Sequence, residues 1–480
     1  MATRGDSRTP VLVALILTMA LVAMDTTIVA TAIPQVVGDL GGSSQVGWVF
    51  SVYLLAQTVT IPIYGKLADL YGRKPILVVG VLVFLIGSAL SAASWDMVAL
   101  IAFRALQGLG AGSIGATVNT VAGDMYSVEE RGRIQGYLSS VWGISAVVAP
   151  ALGGLFAQYT SWRWIFLVNL PIGALALVLI VRGLHEDVVR RRHRIDYAGA
   201  GLLLVSAGLL ILGLLQGGTS WAWDSPGSIV TFAVAILAGV AAVYVERRAA
   251  EPILPSWLWT RRLTVGVYAA TGTAGMIVIG LSVFLPSWGQ HVLGLSPVAA
   301  GFVLAVMSMT WPVTSGFSAR LYLRVGFRDT ALLGALVATA SGVVLILMGP
   351  NAEVWQPVLG TALMGVGMGL TFSPLIVGLQ NTVGWDQRGT ITGGSMFSRF
   401  LGQSLGAAVY GAVSNQVLRN HAGQAQALRV HAATHAVFLG LLAAAGVTLA
   451  VLLIAVPRHF PTYSPEASGE AAQQPPPARA

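Results

Sequence analysis

The stretch Gly65–Lys74 reads GKLADLYGRK and places four charged side chains, Lys66, Asp69, Arg73 and Lys74, within ten residues. On each side the chain runs apolar for roughly twenty residues, the length that crosses the hydrocarbon core of a bilayer. A charged island between two such runs is the loop between membrane helices. A second decapeptide, ARLYLRVGFR at Ala319–Arg328, repeats its outline. Leu67 matches Leu321, Gly72 matches Gly326, and the charges of Lys66 and Lys74 return as Arg320 and Arg328. Leu323 stands where the first copy has Asp69.

Composition supports a lipid environment. Charged residues make up 10 % of the 480, against roughly a quarter in a soluble domain. The mean hydropathy is +0.76. The formal charge of +8 does not point to nucleic acid, because the arginines fall in short loops between apolar runs and not on one basic face. With no cysteine, disulfide, thiolate and Cys–metal chemistry are excluded. The run from Val11 to about Ile33 is longer than a signal-peptide core and contains Asp25, so it reads as a first span.

Fourteen spans are expected. The first eight are 11–33, 46–66, 75–94, 97–120, 133–157, 164–183, 197–216 and 228–246. The other six are 264–287, 298–318, 329–348, 354–378, 389–412 and 434–456. All must be helical, because backbone polar groups in lipid need internal partners. With the N-terminus in the cytoplasm, only Arg163, Arg419 and Arg429 among the 27 Lys and Arg fall in outer loops. Arg104 and Arg399 fall inside spans. That bias sets a topology with both termini cytoplasmic, and it fixes evenness better than the number fourteen. Trp95, Trp162, Trp164, Trp221 and Trp223 read as anchors at the outer interface. The basic run Arg190–Arg194 reads as a cytoplasmic linker touching anionic lipid, and the tail after Pro461 as disordered.

Removing spans seven and eight makes the two decapeptides the same loop in two six-helix halves. The domains expected are a six-helix bundle over 1–190, a linker with two extra spans over 191–262, a second bundle over 263–457 and a tail over 458–480. Two similar halves with a site between them near the midplane is transporter architecture.

Several motifs carry a likeness. Besides GKLADLYGRK there are MDTTIVATAIP at Met24–Pro34, RALQGLGAG at Arg104–Gly112 and APALGG at Ala149–Gly154. WRWIFLVNLP at Trp162–Pro171 and GQHVLGLSPVAAG at Gly289–Gly301 add to them. Together they resemble the major facilitator superfamily, specifically its fourteen-helix drug:proton antiporters. The resemblance implies an all-α polytopic membrane protein: two six-helix bundles plus two additional transmembrane helices. It also implies export of lipophilic compounds in exchange for protons by alternating access at the cell membrane, with no enzyme activity. The motifs describe coupling and not cargo, so a dedicated exporter of one endogenous metabolite, lipid or self-made antibiotic stays open.

Asp25 is the one acid expected deep inside a span. A carboxylate in lipid is expensive and by default functional. Arg104 is its natural partner. Each lies ~10–12 Å from the outer end of its span, at 1.5 Å per residue. In the resembled family the span-four Arg is tied to proton transfer, so Asp25 and Arg104 are expected to couple protons. By the same resemblance Gly65, Asp69, Gly72, Arg73 and Lys74 form a conformational latch. Asp69 is placed to meet the positive end of a helix across the bundle. Leu323 cannot, so the latch is expected on one side only. Pro150, Gly153 and Gly154 correspond to the antiporter motif, where small residues admit close helix approach.

Tyr53, Gln57, Trp142, Met307, Trp311, Arg399 and Gln403 are candidates for an adaptable substrate cavity. A single deep acid suggests cationic or neutral cargo. YGKL at Tyr64–Leu67 lacks the rest of a phosphate loop, so ATP is not expected to drive the chain. The histidines read as loop or tail residues without metal-ligand spacing, and no metal or cofactor is expected beyond the coupling proton. The expected partners are a small-molecule cargo and the bilayer, with no nucleic acid, for a monomeric protein.

Overall fold

The computed structural model describes residues 5–42, 45–186, 196–218, 221–249, 251–421 and 423–461. The basic run at Arg190–Arg194 and the tail from 462 lie outside them. Among the described residues the chain folds as helices joined by short turns. In the first half, α1 spans Gly5–Leu40, α2 Val46–Tyr71, α3 Arg73–Ala92, α4 Met97–Met125 and α5 Val128–Tyr159. A short α6 at Trp164–Leu167 and α7 at Asn169–Gly183 replace the single sixth span, the break falling at Val168. Helices α8, Tyr197–Gln216, and α9, Pro226–Glu246, follow, with a short α10 at Trp257–Thr260. In the second half, α11 spans Arg262–His291, α12 Pro297–Val325 and α13 Phe327–Ile346. Last come α14 at Trp355–Gln380, α15 at Arg388–Asn420 and α16 at Gln426–Ile454.

Local chemistry sets the boundaries. Asp96 caps α4 by accepting from the Ala99 amide at 2.7 Å. Ser127 and Glu130 form a reciprocal capping box at the start of α5. The two matched decapeptides have the same joint. Gly72 ends α2 with φ 95° and ψ 156°, and Gly326 ends α12 with φ 94° and ψ 161°. Only glycine adopts that conformation at low cost.

Among the described residues, thirteen helices are long and apolar enough to cross a membrane. Each coincides with an expected span, the sixth spanning α6 and α7. The remaining expected span, 389–412, falls on α15, whose 33 residues include Arg399, Gln403, Gln416 and eight glycines or serines before Ala407. That helix is wedged between the two halves more than it faces lipid: every residue from Gly389 to Met396 is buried. The fourteenth crossing therefore stays a proposal.

Helices α1 to α7 pack as one bundle, chiefly α2 and α3 on α4, and α1 on α5 and α7. Helices α11 to α16 pack as the other, chiefly α13 and α12 on α14, and α15 and α16 on α11. The bundles meet along two seams, α2 with α15 and α5 with α12. The α8–α9 hairpin lies outside, against α2 and α15. Each bundle has its own apolar core, one around Leu77, Phe84 and Ile114, the other around Ile277, Phe438 and Leu441.

Two expectations change. Trp162 is 2 % exposed and donates from Nε1 to Asp39 Oδ2 at 2.8 Å, so it closes the core under α6 instead of facing the interface. Trp95, at 72 % exposed, does face outward. His431 and His435 lie within α16 and not in a loop, where Trp288 Nε1 donates to His431 Nδ1 at 3.2 Å.

Candidate functional site

Asp25 on α1 and Arg104 on α4 are both fully buried and form an ion pair at 2.5 Å. Gln107, one turn along α4, joins the two. Its Oε1 accepts from Arg104 Nη1 at 2.8 Å, and its Nε2 donates to Asp25 Oδ1 at 2.8 Å. The network continues outward through Ser88 on α3, 3.3 Å from Gln107 Nε2, to Asn169 Nδ2 on α7 at 2.9 Å. Ser88 itself donates to the Phe166 carbonyl at 2.9 Å. Arg104 also donates from Nε to the Val49 carbonyl, 3.3 Å, and stacks on the Tyr53 ring 4.1 Å away. Both charges are thus matched and hydrogen-bonded, the condition under which an ion pair survives in a low-dielectric interior. Next to them, Tyr53 Oη and Gln57 Oε1 are buried without a hydrogen-bond partner among the described residues.

A second polar cluster sits at one end of the α2/α15 seam, here called the latch face. Asp69 accepts from the amides of Gly389 and Thr390, at 2.7 and 2.6 Å, and from Thr390 Oγ1 at 2.7 Å. These are the first residues of α15, where free amides and the helix dipole attract an anion. Arg73 pairs with Asp69 at 3.0 Å and with Asp124 at 2.9 Å. It also donates to the Trp385 carbonyl and lies flat on the Trp385 ring at 3.6 Å. Arg388 closes the set by pairing with Asp124 at 2.9 Å. Gly65 permits the contact, since a Cβ there would lie 2.5 Å from the Gly389 carbonyl oxygen.

Lys74 lies apart from this cluster. Its Nζ donates to the Val181 carbonyl at 2.8 Å. Its amide and that of Arg73 each donate to the Glu186 carboxylate at 3.0 Å, which caps α3. On the α5/α12 seam, Tyr322 Oη donates to the Val128 carbonyl at 2.7 Å, and the exposed Leu323 makes no latch. Between α4 and α14, Gln380 Nε2 donates to the Asn119 carbonyl at 3.2 Å.

The latch face is closed. Away from it burial along α15 falls, from the fully buried Gly389–Met396 to the exposed Asn415, Gln416, Arg419 and Asn420. Gly153 presses on α1, where a Cβ would lie 2.9 Å from the Ile28 carbonyl oxygen, whereas Gly154 faces open space. Pro150 lies within the continuous helix α5. Trp311 stacks on Phe372 at 5.2 Å. Met307 is buried in the second core, while Trp142, Arg399 and Gln403 are half-buried.

Gln107, Ser88, Asn169, Asp124, Trp385, Arg388 and Thr390 were not among the expected site residues. Gln107 had a signal, since it shares a helix face with Arg104 at i and i+3. The partners from α7, α15 and the turn Trp385–Gln387 become neighbours only through tertiary packing.

A family model described as Major Facilitator Superfamily matches residues 15–407. The chain belongs to the Major Facilitator Superfamily. Superfamily relatives include the multidrug transporter protein MdtP of Bacillus subtilis (strain 168), 34 % identical over 417 residues, covering 86 % of this chain and 76 % of the relative. Multidrug resistance protein 3 of the same strain is 36 % identical over 411 residues, covering 85 % and 80 %. Among solved structures, that of the human organic anion transporter MFSD10 (TETRAN) superposes with a TM-score of 0.68. It covers 94 % of this chain and 100 % of its own, at 17 % identity, a level that speaks to the fold alone. The superfamily's members are transporters, and this chain is a multi-pass membrane transporter with the major facilitator fold.

Proposed function

We propose that the chain is a proton-coupled antiporter that exports lipophilic compounds across the cell membrane by alternating access. Its names for the parts are then 1–190 and 263–457 for the rocking bundles, 191–262 for the linker with two added spans and 458–480 for the tail. Both termini are cytoplasmic in this reading, and the latch face is the cytoplasmic one. The multidrug names of its bacterial relatives support the cargo class.

The observation that carries the coupling is the ion pair of Asp25 and Arg104, at 2.5 Å and shut off from solvent. An intramembrane carboxylate is costly to keep unless its charge is used. A proton arriving on Asp25 would cancel the pair and leave Arg104 with Gln107, the Val49 carbonyl and the Tyr53 ring. That changes which packing of α1 against α4 is favoured. Proton entry is thereby linked to the tilt of the bundles.

The latch supports the second half of the cycle. Its cross-bundle bonds must break when the cytoplasmic side opens. Asp69 keeps Arg73 through that step, because both lie in the first bundle.

The test is transport of a compound panel in proteoliposomes, with the proton gradient imposed or collapsed. Asp25→Asn is expected to abolish gradient-driven export while exchange of cargo without a gradient continues. Full gradient-driven export by Asp25→Asn overturns the coupling assignment. The expectation of cationic or neutral cargo rests on Asp25, and Asp25 is already engaged by Arg104 and Gln107. The sign of the cargo is therefore sought at the other mid-helix charge.

A further inference from the structure

Arg104 and Arg399 both lie within helix bodies, and they differ in one respect. Arg104 has a carboxylate partner, whereas among the described residues no carboxylate and no hydrogen-bond acceptor reaches Arg399. Its Nε is buried and unpaired. The sequence explains why. Between Leu263 and Pro457 there are only three acids, Asp329, Glu353 and Asp386. The first lies in the opening turn of α13, the second just ahead of α14 and the third in the turn Trp385–Gln387. The second bundle has no acid in a helix body that could neutralise this charge.

The position is central. Ile61 and Ala116 of the first bundle pack with Tyr322, Ile376, Met396 and Phe400 of the second as an apolar plug above the latch. Arg399 lies between Met396 and Phe400 on α15, at the end of the plug away from the latch. Phe372 lies one turn beyond Ile376 on the same side. The Arg399 guanidinium carbon stands 5.6 Å from the Phe372 ring centre and 5.0 Å from that of Phe400. Trp311 stacks on the other part of this shelf, 5.2 Å from Phe372 with an interplanar angle of 14°. Arg399 as a whole residue keeps partial exposure, while its Nε is buried.

Aromatic faces attract a cation, but more weakly than they would need to in order to replace its hydration. A guanidinium fork is built for two oxygens of one acid group, and an aromatic shelf for a flat apolar body. We infer that Arg399, with the stacked pair Trp311 and Phe372, forms a subsite for the acid group of a lipophilic aromatic cargo, a carboxylate or sulfonate on a flat ring system. This rests on the export reading and adds to it the sign of the cargo. It places the cargo contact in the second bundle and the proton site in the first, so that both partners need not compete for one residue.

The experiment is equilibrium binding to the purified full chain in detergent, with no gradient present. The probes are pyrenebutyrate, its methyl ester and the matching pyrenebutyl trimethylammonium, read by energy transfer from tryptophan. The wild type is expected to bind the acid about tenfold more tightly than the ester, the worth of one charge-assisted contact, and the ammonium most weakly. R399Q is expected to bring the acid within about twofold of the ester and to leave the ester unchanged. F372L is expected to weaken all three probes alike. The proposal is overturned if the wild type ranks the ammonium at or above the acid, or if R399Q leaves the acid's advantage in place. Should R399Q fail to fold, the wild-type order still decides. Binding in the expected order without gradient-driven export sinks the export reading and not the subsite; export without preference for the acid does the reverse.

Discussion

Asp69 of α2 holds Thr390 of α15 twice, through its backbone amide at 2.6 Å and its hydroxyl at 2.7 Å, across 321 residues of sequence. The contact exists only while the bundles touch on the latch face. Replacing the acid with Asn keeps the size but removes the charge that the α15 amides and Arg73 both face. The expected loss is about 2–4 kcal/mol of preference for the closed latch face. Spin labels at the latch ends of α2 and α15 would read this as a new long-distance population. An unchanged distance distribution removes Asp69 from the latch.

Trp385 contributes through its ring, flat against Arg73 at 3.6 Å. Trp385→Ala is expected to weaken the closed state by about 1–2 kcal/mol, less than Asp69→Asn. The two changes act on one guanidinium, so the double variant should cost less than the sum. Additive effects in the same distance measurement would show that Arg73 does not link them.

Gly72 and Gly326 adopt the same left-handed conformation at equivalent joints, with φ of 95° and 94°. Replacing either with Ala is expected to lower stability by about 1–3 kcal/mol, from backbone strain alone. Thermal unfolding in detergent should register similar losses for the two. A loss at Gly72 alone would make the likeness of the joints accidental.

Arg104→Lys keeps the charge but not the geometry. A single ammonium cannot reproduce the fork that reaches Asp25, Gln107 and the Val49 carbonyl together. Gradient-driven transport is expected to fall at least about tenfold, with cargo binding unchanged. Loss of binding in step with transport would place Arg104 in the cargo site instead.

The sequence and the structure agree where the signal is local. Apolar runs of membrane length located the helices, and GKLADLYGRK located the joint after α2. Asp25 and Arg104 could be paired by their similar depth together with the family resemblance that makes their helices neighbours. Three features were not legible. The break at Val168 lies in a run long enough to read as one span despite Asn169 and Pro171, and Asn169 there reaches Ser88. Helix α15 is too polar for a lipid-facing span because its Gly- and Ser-rich start packs against α2. The latch partners Asp124, Trp385 and Arg388 sit near ordinary helix ends, where a sequence shows charge but not what it will face.

The two seams close by different means, and this has a kinetic consequence. On α2/α15 the closure is ionic and redundant, whereas among the described residues on α5/α12 it is the Tyr322 phenol against the first turn of α5, at the Val128 carbonyl and the Gly132 amide, beside close-set Gly136, Gly316 and Ala319. Breaking the neutral contacts of one phenol takes less than unfastening a charged cluster. When the mouth on the latch face opens, it should unzip from the α5/α12 side first and pivot on α2/α15, whose buried charges added salt reaches poorly.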